Sequence, residues 1–250
     1  MKRKNYSDFK LSIERYPEPT LMTTGSKVGC PILQIKMGDK IKLTNKQLFD
    51  YIETEYSLID MVVFTDDDDP TDYADEIWSF IKYSKSIHKN TAYRDRWWGM
   101  VTHGKRYVEK LLYELDDILI DVLTPSSGSE TPPEFISWCN EDPNIKNKVQ
   151  FRITIGANAQ DISFARMEVP KLGTLRCPIT LQPLYWNKGE IKKEMEIAQT
   201  LQNTSSFEKN YTQPTGWKSY SHFVDEFIDT VRYPYIRILP DLVKVLNIKK

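Results

Sequence analysis

Cysteine is scarce in this chain: three residues in 250, at positions 30, 139 and 177. An odd, widely separated set does not build a disulfide framework and fits a reducing compartment, so a cytoplasmic protein is expected. No CxxC zinc pair, H-E-x-x-H helix, G-x-S-x-G elbow or glycine-rich phosphate loop occurs. No apolar run approaches the roughly 20 residues that span a bilayer, and no apolar segment follows the basic start Met1-Lys2-Arg3-Lys4. Neither a membrane partner nor a secretory signal is therefore expected. A net charge of −1 supplies no global pull toward nucleic acid, which would need a local patch.

What remains is the composition of a folded protein, with 40% apolar and 28% charged residues. No boundary divides it, and residues 1–250 are expected to form a single domain with a full core. Thr44-Asn45-Lys46-Gln47 has capping-box spacing, and Leu48, Tyr51, Ile52 and Tyr56 follow on one helical face. Leu58 to Phe64 is a short apolar strand pattern, stopped by four aspartates and Pro70. The unit then repeats. A helix is expected over 71–86, a strand at Trp97 to Thr102, a helix from Tyr107 to Leu115 and a strand over Asp117 to Leu123. Next come a helix through Phe135 and Trp138, a strand at Val149 to Ile155, a helix from about Asp161 and a strand at Ile179 to Gln182. Helices at 188–202, 218–231 and 241–247, a polar loop at 203–216 and a short strand at 235–239 complete the expectation. Alternating strands and helices imply an α/β fold with a mainly parallel sheet, and the pattern suits a partial TIM-like (β/α) barrel.

Ligands of such sheets sit at the C-terminal ends of the strands. The residues there are Thr102, His103, the turn Thr124-Pro125-Ser126-Ser127-Gly128, and Gln182. Two hydroxyls and a glycine able to take φ > 0 could cradle an anion; the same residues also make an ordinary turn. His103 could serve as acid, base or ligand, or be a hydrogen-bonded structural histidine. Among Asp66 to Asp69, the carboxylates of Asp67 and Asp69 could hold a divalent cation, although such a run is commonly a solvated turn. Arg94, Arg96, Trp97, Trp98, Lys105 and Arg106 interleave cations and aromatics as single-stranded nucleic acid would require. The simpler expectation for the two tryptophans is strand core. Cys139 and Cys177 read as small core residues.

The order of these strand-end motifs resembles that of the 7-carboxy-7-deazaguanine synthase family, radical S-adenosylmethionine enzymes of queuosine and deazaguanine biosynthesis. Asp117 to Gly128, with its Pro125-Ser126-Ser127-Gly128, looks like the family's D-x-K-x-P-S-S-G segment. Leu181-Gln182-Pro183-Leu184 is similar to its L-Q-P-V strand. Arg237 to Ile248 parallels a closing R-x-x-P-Q-x-H-K-x-L-G-I, with Val243 at the histidine position. The resemblance runs over nearly the whole chain and implies a (β/α) partial barrel.

The departures are as regular as the matches. Against the family's three-thiolate C-x-x-x-C-x-x-C loop, this chain offers Cys30, Gln34 and Met37, and the C-D-T that follows becomes Met37-Gly38-Asp39. The substrate-side Q-G-E-G becomes Glu14-Arg15-Tyr16-Pro17, and E-T-N-G-T is reduced to Val101-Thr102-His103-Gly104-Lys105. The T-G-G-E-P loop that holds the methionine part of the cosubstrate is matched by Asp66-Asp67-Asp68-Asp69-Pro70, without a glycine. One thiolate does not retain a four-iron cluster, because an amide is no soft ligand and a thioether is a weak one. The resemblance therefore implies a vestigial cluster loop at Cys30, Gln34 and Met37, no iron–sulfur cluster, no bound S-adenosylmethionine and no catalytic residue. The expected function is that of a pseudoenzyme acting as a binding or scaffold protein, with another protein as partner and a homodimer compatible with it. Two alternatives stand beside it. One is an altered or accessory enzyme of 7-deazaguanine or nucleotide metabolism, taking a purine or deazapurine at Thr102, His103, Ser126 to Gly128 and Gln182. The other is a nucleic-acid-binding protein using the Arg–Trp segment.

Overall fold

The computed structural model describes residues 9–16, 32–66, 68–88, 96–125, 139, 141–183, 217, 220–232 and 235–238. Strands and helices alternate, and the fold is α/β. The strands are β1 (Phe9–Tyr16), β2 (Ile32–Leu43), β3 (Met61–Thr65), β4 (Trp97–Thr102), β5 (Asp117–Val122), β6 (Val149–Ile155), β7 (Ile179–Pro183) and β8 (Ile236–Ile238), and they succeed one another in chain order in the sheet. β1 runs antiparallel to β2; the pairs β2–β3, β3–β4, β4–β5 and β7–β8 are parallel. Among the described residues the helices are α1 (Asn45–Glu55), α2 (Ala74–His88), α3 (Glu109–Glu114), α4 (Pro143–Lys146), α5 (Ala159–Gly173) and α6 (Tyr220–Phe227). The 3-10 turns Pro70–Tyr73 and Ile228–Arg232 lead into α2 and out of α6. The chain divides into two compact units, Met1–Asp121 with Thr131–Phe151, and Val122–Glu130 with Arg152–Lys249.

In the first unit, α1 starts where the sequence places it. Thr44 accepts from the Gln47 N–H and the Gln47 side chain accepts from the Thr44 N–H, so two otherwise orphaned donors are paired. Strands β3 to β5 are apolar on both faces, as expected of parallel strands covered on two sides. On one face Phe64 and Trp98 lie 6.2 Å apart, centroid to centroid, and Phe80 of α2 meets both rings edge-on. On the other face Ile32, Met61 and Val63 are buried, with Trp97 and Val101 packed against them. Gly99 lies in this second layer, and a Cβ there would come within 2.7 Å of the Met61 methyl.

In the second unit, Trp217 donates its indole N–H to the Ile155 carbonyl at 2.9 Å and packs edge-on against Phe223 of α6. Asn158 caps α5 by accepting from the Asp161 N–H at 2.8 Å. The turn from α5 into β7 puts Arg176 at φ 58°, a left-handed conformation unusual for a residue with a Cβ.

The expected helices at 188–202 and 241–247, the loop at 203–216 and the helix through Phe135 and Trp138 fall outside the described residues. The largest departure from expectation lies at the start. Residues 32–43 are a strand, where a vestigial cluster loop was expected to include 34 and 37. The alternation of Leu33, Ile35 and Met37 with Gln34 and Lys36 explains it, because the first three are buried and the latter two are not fully so.

Helices α2 and α3 are joined by a charge cluster in which Glu114 lies 2.5 Å from Lys82 Nζ and 3.2 Å from Lys85 Nζ. Burial works to raise the Glu114 pKa, but the two lysines outweigh it and the carboxyl titrates below its usual range. A depressed pKa means that this contribution is complete above the unfolded-state value of about 4.3 and is lost as pH falls through the folded one. Urea denaturation should show Glu114→Gln destabilising the protein at neutral pH, with the difference from the unsubstituted chain shrinking at pH 3. An undiminished difference at pH 3 would assign the effect to packing.

Candidate functional site

The C-terminal ends of β3 and β4 are tied together by one buried carboxylate. Asp69 is 0% exposed. Its Oδ1 accepts from the Thr71 N–H at 2.9 Å and the Thr71 hydroxyl at 2.6 Å. The Thr102 hydroxyl lies 2.8 Å from both oxygens, and Oδ2 also accepts from the His103 N–H at 2.8 Å. The Lys105 N–H stands at 3.5 Å, at the limit of hydrogen bonding. Asp69 is the N-cap of the 3-10 turn Pro70–Tyr73, with Pro70 at its first position, so a local capping preference fixes its backbone while the long-range bonds fix its side chain. Gly104, at φ 75°, donates to the Thr102 oxygen at 2.9 Å. The His103 ring places Nδ1 3.2 Å from the Asp121 carbonyl. A carbonyl only accepts, so Nδ1 carries the proton in this bond.

A second buried carboxylate does comparable work in the other unit. Asp161 of α5 is 0% exposed, and its Oδ2 accepts from the Thr124 hydroxyl at 3.1 Å and the Gly156 N–H at 3.0 Å. This holds the residues after β5 against the end of β6. Asp161 also places a negative charge in the first turn of α5, where the helix dipole favours it.

Thr102 and His103, expected to line a ligand pocket, come together around Asp69. Gln182 is buried in β7, within the second unit. Ser126, Ser127 and Gly128 lie outside the described residues. Of the expected cation ligands, Asp67 is outside them as well, and both oxygens of Asp69 already accept from protein donors. Among the described residues no group of three or more His, Cys, Asp or Glu side chains is placed to hold a metal ion.

Cys30 also lies outside the described residues, but Gln34 and Met37 do not. Both sit in an unbroken stretch of β2, paired with Glu14 and Leu11 on one side, while the parallel register with β3 runs from Ile32–Met61 to Lys36–Thr65 on the other. Residues three apart in a strand point to opposite faces. Met37 is accordingly buried, whereas Gln34 donates its amide N–H to Thr65 Oγ1 at 2.6 Å. Ligands of one cluster must converge, so these two positions do not fit a cluster whatever residues occupy them. The register of β1 skips from Met37 to Lys42, leaving 38–41 without counterparts, and Thr44 alone connects β2 to α1. Of the expected vestigial cluster loop, positions 34 and 37 are therefore corrected to a paired strand.

The Arg–Trp segment is dispersed. Arg96, 3% exposed, forms an ion pair with Glu53 at 3.1 Å and donates to the Tyr56 carbonyl at 3.4 Å. Trp98 is in the aromatic core, as the simpler expectation holds, and Trp97 is half-buried. Lys105 and Arg106 follow the other end of β4, about 20 Å away at strand rise, where Arg106 pairs with Asp72 at 3.2 Å. Arg94 is outside the described residues. Cys139 and Cys177 are buried, in keeping with a core role.

No family model matches this chain, and no curated protein matches it.

Asp69→Asn should cost about 2 kcal/mol in equilibrium urea unfolding, because the amide nitrogen turns a donor toward Thr and backbone donors in a buried site. Thr71→Val, which removes one hydroxyl and leaves the carboxylate in place, should cost about half as much.

Proposed function

We propose that the chain is a catalytically inactive relative of the 7-carboxy-7-deazaguanine synthases, a pseudoenzyme whose α/β scaffold serves binding, with another protein as its partner. The observation that carries this reading is the opposite facing of Gln34 and Met37 within a strand that pairs with β1 at both positions. Radical chemistry on S-adenosylmethionine needs an electron from a four-iron cluster held by three convergent thiolates. These positions offer neither the thiolates nor the convergence. The strand-end loop that the resemblance matches to the cosubstrate site supports the same reading, since Asp69 draws its donors onto itself. The Asp117 to Val122 part of the matched segment and Leu181-Gln182-Pro183 are explained as scaffold, because β5 and β7 are buried strands.

Anaerobic reconstitution of the full chain with iron and sulfide tests the reading. Iron bound after desalting should stay at the level of a control protein, with no visible charge-transfer absorbance and no deoxyadenosine from S-adenosylmethionine under reduction. A stable four-iron cluster that cleaves the cosubstrate overturns it.

A further inference from the structure

The donors around Asp69 make up a site in their own right. Two backbone N–H groups and two hydroxyls converge within 2.6–2.9 Å of one carboxylate, contributed by the 3-10 turn after β3 and by the end of β4. Such a ring of N–H and O–H donors is what carboxylate recognition requires. Several of its members are held by contacts that do not involve Asp69. Thr102 ends a strand, and its oxygen accepts from Gly104, which forces its hydroxyl proton forward. His103 is braced by its ring against the Asp121 carbonyl.

We propose that this is a carboxylate-binding nest which the chain fills with its own side chain. Asp69 is an intramolecular ligand, and a small monocarboxylate takes its place when that side chain is absent. The edge of the sheet where α/β proteins take their ligands is therefore closed at β3 and β4 from within. Asp161 differs, because it sits inside the first turn of α5 and its removal takes a charge from the helix as well as from the loop. Asp69 lies in extended backbone, φ −157° and ψ 124°, which a glycine adopts without strain. Nothing in this inference uses the resemblance to radical enzymes, so its failure would leave the proposed function standing.

The test is chemical rescue in the full chain. Asp69→Gly should melt below the unsubstituted protein. Sodium formate, compared with sodium chloride at equal ionic strength, should raise its midpoint saturably by about 4 °C or more, as a ligand bound only by the folded state does. The unsubstituted protein should show no formate-specific rise, and adding Thr102→Val to Asp69→Gly should abolish the gain. Equal midpoints in formate and chloride, a matching rise in the unsubstituted protein, or a gain that survives Thr102→Val would each overturn the proposal. If Asp69→Gly does not fold on expression, it is refolded from urea in either salt. Recovery of the native circular dichroism in formate alone supports the nest, and recovery in neither salt overturns it.

Discussion

The two-residue period of β2 constrains everything around it. Because β1 and β3 both pair with it over Ile32–Lys36, that part of the strand is not free to rotate or slip, and each side chain there is committed to one face. Leu33, Ile35 and Met37 enter the core, and Gln34 reaches across to Thr65. A one-residue slip would bring Gln34 and Lys36 into that core, at a cost of several kcal/mol for burying an amide and an ammonium without partners. The same commitment prevents positions 34 and 37 from meeting.

Beyond the strands, buried carboxylates replace what a ligand would otherwise do for loop order. Loops after parallel strands present unpaired N–H groups, which water, a ligand or a side chain must satisfy. Here Asp69 answers for the residues after β3 and β4, and Asp161 for those after β5 and β6. Each uses an acceptor-only group with several lone pairs, so a single residue organises two separate chain segments.

Much of the fold was legible. β4 and β6 occupy the residues that the apolar runs indicate, and α1 begins at its capping box, because in each case local pattern and burial agree. β2 was hidden for the opposite reason: the spacing of Cys30, Gln34 and Met37 suggested a loop, although the alternation from Ile32 to Met37 was already that of a strand. The site was less legible. Nothing separates Asp69 from its three acidic neighbours except the Pro70 that follows it, a capping signal whose long-range partners Thr102 and His103 lie more than thirty residues away. Asp161 served in the sequence only to mark the approximate start of a helix, and only the fold brings it to Thr124 and Gly156.

The joint between β2 and α1 is a single residue, Thr44, used in full as a helix cap. Its consequence is mechanical. With no slack between Leu43 and Asn45, a residue inserted or deleted there would have to displace the reciprocal bonds of Thr44 and Gln47, so the phase of the helix relative to the strand is set by the hydrogen bonds of one threonine.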